Sequence, residues 1–343
     1  MNLNILRPIL KLFLCIIVTI SSLAAHATQK NVVIFSQSVS KSDDALISVY
    51  EELGHKVKLM YYDQTHIIGN EIHNHNNIYR IDQFDIAYFR TWGCPKSRAL
   101  AHQWIPIIEK NGVTIIDSLQ ALLYNHNKHA MMRLFINNDI PIPKTLIVQR
   151  LNIDALVAKI SQVFKDKIVV KGDSCGGKDV IFIEIDNDNQ LRKELLKISD
   201  NQKIKPPFVI QQYIPSKNSN GYSYHYRVVV VDFKPILALK YTSSEYSILA
   251  SNLSLGGSSE PAELNNIFTT QQLDQIIRAC KLMGVDAAGV DVLLTNQGLF
   301  ILEVNNSLGL YNSYLMPDGS VVNLLDKAVK KIVEFSLKKE AIE

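Results

Sequence analysis

Two short stretches of this 343-residue chain place acidic side chains among apolar ones. Asp291 sits in GVDVLL, and Glu303 and Asn305 sit in FILEVNNS. Both stretches read as strands, and period-two alternation puts Ile301, Glu303 and Asn305 on one face of the second. Two carboxylates and an amide oxygen on an otherwise apolar hairpin are costly unless bonded. An oxygen-only donor set suits Mg²⁺, which binds through one or two carboxylates plus substrate phosphates. The connection sets the register. A three-residue loop, Asn296-Gln297-Gly298 with Gly298 left-handed, is a favoured hairpin. It pairs Thr295 with Leu299, and so Asp291 with Glu303 on the same face. A two-residue loop would put them on opposite faces. A pair of solvent-facing acids at a sheet edge is the plainer alternative, yet acids inside apolar strands are unusual.

Other residues suit the handling of phosphate. The segment Asp173-Ser174-Cys175-Gly176-Gly177-Lys178 lies between the strands Lys167 to Lys171 and Val180 to Ile185. A Gly-rich loop exposes backbone N–H groups and lets a polyphosphate come close. It is not a P-loop, because GxxxxGK[ST] is absent and a strand follows. By itself the loop reads equally well as a structural turn. Lys171 ends the strand before it, and Lys128 lies on an earlier helix. Each could meet a phosphate as a point charge, and each could be an ordinary exposed lysine. Arg227 opens a β-branched run, with Asn252 and Gly256-Gly257 in the loop after the next strand. Beside a metal–phosphate site, an arginine stabilises charge on a transferring phosphoryl group or an oxyanion. Read alone, it is a strand-end cation.

The elements that must carry these residues alternate in type. Strands are expected at Asn31 to Phe35, His55 to Tyr61, Phe84 to Phe89 and Val113 to Ile116. Helices are expected at Asp43 to Leu53 and Ser97 to Lys110, stopped by Gly54 and Gly112. Such alternation means a small parallel sheet. No GxGxxG follows the first strand, so no dinucleotide site is expected there. His73, Asn74, His75, Asn76 and Asn77 form a polar patch between the second and third strands. It reads as a solvated loop rather than a metal site, because no ligand cluster of defined spacing accompanies it. One helix is expected from Leu119 to Ile136, then Pro141 and Pro143 punctuate the chain. The second half turns β-rich, with strands at Phe208 to Gln212, Arg227 to Val231, Ile236 to Tyr241, Val290 to Leu294 and Leu299 to Val304. Helices are expected at Gln271 to Met283 and Leu324 to Lys338.

Composition bounds the function classes. The chain is 47% hydrophobic and 20% charged, which argues against a mainly disordered protein. Its net charge of +3 is too small for a nucleic-acid-binding stripe. Met1 to Ala27 contains no acid. It carries Arg7 and Lys11, an apolar run from Leu12 to Leu23, and a small-x-small Ala25-His26-Ala27 site. That is the pattern of a secretory signal peptide, and the run is short for a span of about 20 residues. Cleavage implies an exported protein, periplasmic or secreted, with no membrane span left. The alternative is an uncleaved inner-membrane anchor. Cleavage would leave 34 basic against 33 acidic residues, so surface charge names no partner. It would also leave Cys94, Cys175 and Cys280, an odd number, so at least one thiol stays free or pairs between chains.

Taken in order, these features resemble the ATP-grasp superfamily, in the branch of glutathione synthetase and the RimK-type glutamate ligases. The residues that carry the likeness are Lys128, Lys171 with DSCGG, QQYIP (Gln211 to Pro215), HYRVVVV (His225 to Val231), NLSLGG (Asn252 to Gly257), GVDVLL and LEVNNSLGL. The resemblance implies a fold of α/β and α+β parts: an N-terminal parallel α/β domain and two α+β subdomains enclosing a nucleotide. The boundaries expected are 1–27 for the signal peptide and 28–118 for the N-terminal domain. Residues 119–206 would form the subdomain with the phosphate lid loop, and 207–343 the subdomain with the metal site. It implies an ATP-dependent carboxylate–amine ligase acting on an amino acid or peptide through an acyl phosphate. Lys128, Lys171, Ser174, Gly176, Gly177, Gln212 and Tyr213 would bind the nucleotide, the last two presenting backbone to the adenine. Asp291, Glu303 and Asn305 would hold two Mg²⁺ ions, with Glu303 bridging. Arg227 and Asn252 would serve catalysis, and Arg90, Gly256 and Gly257 the substrate. Departures from the family pattern are His225 where an acid is expected to touch ribose, Tyr241 where an arginine is common, Asp179 in the lid, and Gln212 for the usual Glu. An ATP-binding module without ligase activity and an ATP-grasp kinase are the alternatives.

Overall fold

The computed structural model describes residues 28–91, 95–125, 127–172, 180–200, 204, 206–245, 251, 256–306, 308–315 and 320–342. The leader expectation for 1–27, Ser174, Gly176, Gly177 and Asn252, and the thiols of Cys94 and Cys175, all lie outside them.

The first layer is the parallel sheet expected from the alternation. Its strands are β1 (Asn31–Ser36), β2 (Lys56–Tyr61), β6 (Ile86–Phe89) and β7 (Thr114–Ile116), in the order β2-β1-β6-β7. Helix α1 (Lys41–Glu52) begins at Ser40, whose side chain accepts from the Asp43 N–H. Helix α2 (Pro95–Lys110) covers the opposite face through Ala101, Trp104, Ile105 and Ile108. The polar patch between β2 and β6 is not a loop. It is an antiparallel meander of β3 (Thr65–Ile68), β4 (Glu71–Asn74) and β5 (Asn77–Arg80). Two tight turns make it, at Gly69-Asn70 and His75-Asn76, and both Gly69 and His75 have positive φ. Strands of four residues with polar alternate positions carry too little apolar pattern to stand out in a sequence.

The single helix expected from Leu119 to Ile136 is two: α3 (Leu119–Asn125) and α4 (Lys128–Asn137). Asn127 ends the run by capping the second, its Oδ1 accepting from the Ala130 N–H at 2.9 Å. Lys128 is thereby the first residue of α4.

A second sheet is antiparallel, in the order β10 (Val180–Glu184), β9 (Lys167–Lys171), β11 (Phe208–Gln212), β8 (Thr145–Val148). Its two faces divide the work. Ile168, Val170, Ile183 and Ile210 pack under α5 (Ile153–Val163) and α6 (Asp188–Asp200). The alternate residues Val169, Lys171 and Phe182 face a cavity.

The third sheet has five strands, in the order β14 (Ser258–Ala262), β13 (Lys234–Thr242), β12 (Tyr224–Val231), β15 (Ala287–Thr295), β16 (Gly298–Asn305). One face buries Val228, Val230, Val290 and Val292 against α4 and α8 (Thr270–Met283). α8 follows the four-residue α7 (Leu264–Ile267) and has a capping box between Thr269 and Gln272. Its Cys280 is a free, buried thiol. On the other face, Val229 and Val231 join Leu46 and Tyr50 of α1 and Val329, Ile332 and Val333 of α9 (Asp326–Glu340). Arg227 belongs to this second face by alternation. The same strand face is therefore apolar under α9 and charged where it runs out from beneath it. β17 (Ser313–Leu315) and β18 (Val321–Asn323) form a small hairpin before α9. Among the described residues no helix is long and apolar enough to cross a membrane.

Candidate active site

Three adjacent strands of the five-stranded sheet set the centre of the site. Arg227 on β12 pairs in register with Asp291 on β15, and Asp291 pairs with Glu303 on β16. Directly opposed residues of one sheet face have Cβ atoms about 5 Å apart, so the three side chains stand in a row. The route to this pairing differs from the one expected. Thr295 pairs with Gly298, leaving a two-residue turn, which would have put the two acids on opposite faces. A bulge between Asp291 and Val292 compensates: Val292 pairs with Ile301 while Asp291 pairs with Glu303, so Leu302 is the extra residue. The bulge also corrects the face of Ile301. It is buried in the core beside Val292 and Val304, while Glu303 and Asn305 line the cavity.

Gly289 makes room for this row. It lies two residues before Asp291, and a Cβ there would come 2.6 Å from Leu308 Cδ2 and 3.1 Å from Arg227 Cδ. The start of β15 is held from below by Asp117, whose Oδ1 accepts from Asp286 N at 2.6 Å and Ala287 N at 3.1 Å. Neither support was visible in the linear pattern.

The cavity lies between the four-stranded antiparallel sheet and the five-stranded one, with a volume of about 210 Å³. One end is charged: Lys128, Lys171 and Arg227 against Asp291 and Glu303, with Asn305 beside them. Val169, Phe182, Ile214, Leu293 and Leu302 add apolar lining to the same cavity. Apolar walls beside a charged cluster suit a ligand that joins a flat ring to negative charge. Lys128 stands in the first turn of α4, where the helix dipole disfavours a cation and favours an anion. Its place there adds to the positive field at that end.

The electrostatics are tightly arranged. Arg227 donates from Nε to Asp291 Oδ1 at 2.7 Å and from Nη2 to Oδ2 at 2.8 Å, a bidentate pair. Burial alone would raise the Asp291 carboxyl, but the Arg227 charge and its bonds outweigh burial and hold it below the ordinary range. Asn305 Nδ2 reaches Asp291 Oδ2 at 3.4 Å. Burial pulls the Lys171 ammonium down to about 8; Glu303 and Asp291 oppose the fall and Lys128 adds to it. His225 stacks on Tyr241, ring centroids 5.1 Å apart, and its Nδ1 lies 2.6 Å from Ser251 Oγ. Burial, opposed by Asp291, brings this imidazole to about 4, so it is neutral near pH 7.

The structure brings Lys128, Lys171, Gln212, Tyr213, Arg227, Asp291, Glu303 and Asn305 to one cavity. It does not bring Arg90 there. Arg90 is 1% exposed, with Nε 2.6 Å from Asp43 Oδ1, and it donates to Leu308 O at 3.3 Å. Gly256, at φ +84°, packs on the Ser244 side chain and lies off the cavity lining, as does Gly257. Gln212 N–H donates to Lys144 O at 2.8 Å and Tyr213 N–H to Lys167 O at 2.9 Å, so neither donor remains for a base. Missed by the motif reading were Gln211, Ser216, Ser223 and Ser251 as lining residues. Counting back in twos from Arg227 leads along β12 to His225 and then to Ser223, the residue before the strand.

Mg²⁺ fits the donor set chemically. Asp291, Glu303 and Asn305 supply oxygen ligands only, from one sheet face. Among the described residues no group of three or more His, Cys, Asp or Glu could hold a metal by itself. The site instead pairs two carboxylates with an amide and leaves the remaining positions to a substrate.

This architecture is the ATP-grasp fold. It matches the ATP-grasp ligase PsnB, solved with a phosphomimetic variant of its minimal precursor, Mg and ADP, with a TM-score of 0.60 and 16% identity over 92% of this chain and 100% of that one. A RimK-like ATP-grasp domain model matches residues 125–321, and the chain belongs to that family. Among relatives, the tetrahydromethanopterin:alpha-L-glutamate ligase of Methanocaldococcus jannaschii is 29% identical over 206 residues, which cover 58% of this chain and 62% of that protein. Probable alpha-L-glutamate ligase 2 of Shewanella amazonensis is 36% identical over 130 residues, 38% of this chain and 40% of that protein. The chain thus spans about three fifths and two fifths of the lengths of these relatives.

Proposed function

We propose that this protein is an ATP-dependent carboxylate–amine ligase acting on an amino acid or peptide. The observation that carries the reading is the row Arg227, Asp291, Glu303 across three strands, facing a cavity that Lys128 and Lys171 also line. The relatives named as glutamate ligases support this substrate class.

ATP would lie with its base against the apolar walls and its phosphates beside the charged cluster. Asp291, Glu303 and Asn305 would hold two Mg²⁺ ions, with Glu303 shared, and these ions would neutralise phosphate charge. Lys128 and Lys171 would draw the phosphates in. A substrate carboxylate oxygen attacks the γ-phosphorus, the bond to the β–γ bridging oxygen breaks, and ADP leaves. An amine then adds to the acyl carbon, loses a proton, and expels inorganic phosphate as the amide forms. Arg227 would stabilise the charge on the transferring group and on the tetrahedral oxyanion.

We also propose the division into a domain of residues 28–118 and two subdomains meeting near 206, and export after removal of 1–27. N-terminal sequencing of the native protein, expected to begin at Thr28, tests the latter.

The decisive assay is ADP release by the full chain with ATP, Mg²⁺ and pairs of candidate amino acids or peptides. Glu303→Ala should abolish it, and undiminished turnover in that variant would sink the assignment. A binding module predicts nucleotide binding with no phosphate release for any carboxylate. A kinase predicts a stable phosphorylated hydroxyl in place of an amide.

A further inference from the structure

Arg227 is held from two sides. Toward β15 its guanidinium forks onto Asp291, donating from Nε and Nη2. Toward β13 it meets apolar side chains. Leu239 is its register partner there, and Tyr241, two residues on along the same face, pairs with His225. Diagonal neighbours on a sheet face stand about 7–8 Å apart, within reach of an aromatic ring. The Tyr241 ring does reach: its centroid lies 5.2 Å from Arg227 Cζ, the range of a cation–π contact. Leu239 and Tyr241 are both buried in the core that includes α9, and both lie off the cavity lining, whereas Arg227 lines the cavity. The ring therefore stands behind the guanidinium as seen from the cavity.

The ring is itself fixed. Tyr241 and His225 stack with centroids 5.1 Å apart and planes 11° from parallel. His225 is tied in turn, its Nδ1 lying 2.6 Å from Ser251 Oγ. A turn of the Tyr241 ring about its Cβ–Cγ bond would break the stack. Burial raises the Tyr241 hydroxyl and the Arg227 charge opposes the rise, so the cation acts on the polar tip of the ring as well as on its face. A carboxylate fork fixes the guanidinium relative to the carboxylate, yet the two can swing together about their side-chain bonds. A buried ring packed on the guanidinium blocks that swing on the core side and leaves the cavity as the open one.

We propose that Tyr241 is a positioning residue for Arg227: its ring backs the guanidinium and holds it toward the phosphoryl group in transfer, while touching neither nucleotide nor substrate. This rests on the role given to Arg227 above and goes beyond it. A desolvated cation–aromatic contact is worth about 3- to 30-fold in a rate or an affinity. Loss of the ring should therefore cost less than loss of the arginine. It should cost nothing further once the arginine is gone.

Two measurements on the full chain test this: steady-state ADP release, and calorimetric titration in Mg²⁺ with ADP and with the β,γ-imido analogue of ATP. The variants are Tyr241→Phe, Tyr241→Leu, Arg227→Ala and the double variant of the last two. Tyr241→Phe keeps the ring and should stay within about twofold of the wild type. Tyr241→Leu should lower kcat and weaken the imido analogue, each by about 3- to 30-fold, with ADP affinity unchanged. The double variant should match Arg227→Ala alone, because the ring acts through the arginine. The role is overturned if the two losses multiply, if Tyr241→Phe is as damaged as Tyr241→Leu, or if Tyr241→Leu weakens ADP as much as the imido analogue. Wild-type kcat in Tyr241→Leu overturns it as well. Should Tyr241→Leu fail to fold, Tyr241→Met, with a more adaptable side chain, is read in the same way. If the wild type binds both nucleotides but releases no ADP with any carboxylate, the ligase reading falls alone, and the imido-analogue titration still decides the role of Tyr241. If neither nucleotide binds, the role of Arg227 falls and that of Tyr241 with it.

Discussion

Two arginine–aspartate pairs in this protein use the same residue types to opposite ends. Arg90 and Asp43 are 1% and 0% exposed, and Ser36 Oγ and Ser40 Oγ each donate to Asp43 Oδ2 at 2.8 Å. Arg227 and Asp291 are 26% and 14% exposed, and they sit on a cavity wall with Lys171, Glu303 and Asn305 around them. The first pair ties α1 to the end of β6 and, through Leu308 O, to the loop after β16. The second faces the cavity with capacity for further partners. A charged pair is structural when the fold encloses it on every side. It is available for chemistry when one side of it is left on a cavity wall.

Three experiments break or sharpen this contrast. The largest effect belongs to Asp43→Ala, which strands a buried guanidinium and should cost about 3–5 kcal/mol of unfolding free energy in a urea titration. Nucleotide affinity of the folded fraction should stay as in the wild type. A stable Asp43→Ala protein with a raised substrate KM would return Arg90 to the substrate site. Next is Arg227→Ala. It should lower ADP release by about 10²- to 10³-fold, with a smaller loss of stability than Asp43→Ala, because Asp291 can reach solvent. Loss of folding comparable to Asp43→Ala, with activity retained per folded molecule, would erase the distinction. The smallest effect is a pH dependence. With its ammonium held near 8, Lys171 is charged below that pH and loses its charge as pH rises through it. ADP affinity should therefore weaken by about three- to tenfold from about pH 7 to about pH 9. Lys171→Arg should flatten that profile, since a guanidinium stays charged throughout. An unchanged slope in that variant would remove Lys171 from the phosphate end.

The hairpin of β15 and β16 shows how a correct pairing can be read through an incorrect turn. Acids in apolar strands announced that Asp291 and Glu303 belong together. The two-residue turn and the compensating bulge at Leu302 were not readable, because a bulge adds one residue without a composition signal. The meander of β3 to β5 was missed for a related reason, since four-residue strands leave little periodicity. The candidate site was legible where the sequence carries residue types that local structure does not want, as at Lys171, Arg227, Asp291 and Glu303, which line one cavity. Arg90 shows the limit of that logic: its residue type and place at a strand end suited substrate, and only packing disclosed Asp43 beside it.

By itself the amino-acid order determined the alternation of strands and helices, the acid-bearing ribbon and the family likeness, because these depend on neighbours in the chain. Tertiary structure alone decided which cations share the cavity, which arginine is sealed, and which ring stands behind Arg227. Those properties depend on burial and on partners from distant segments: Leu308 lies against Gly289, Asp117 holds Ala287, and Ser251 anchors His225. Dielectric and hydrogen-bond satisfaction are set by the surroundings in space, and no local pattern encodes them.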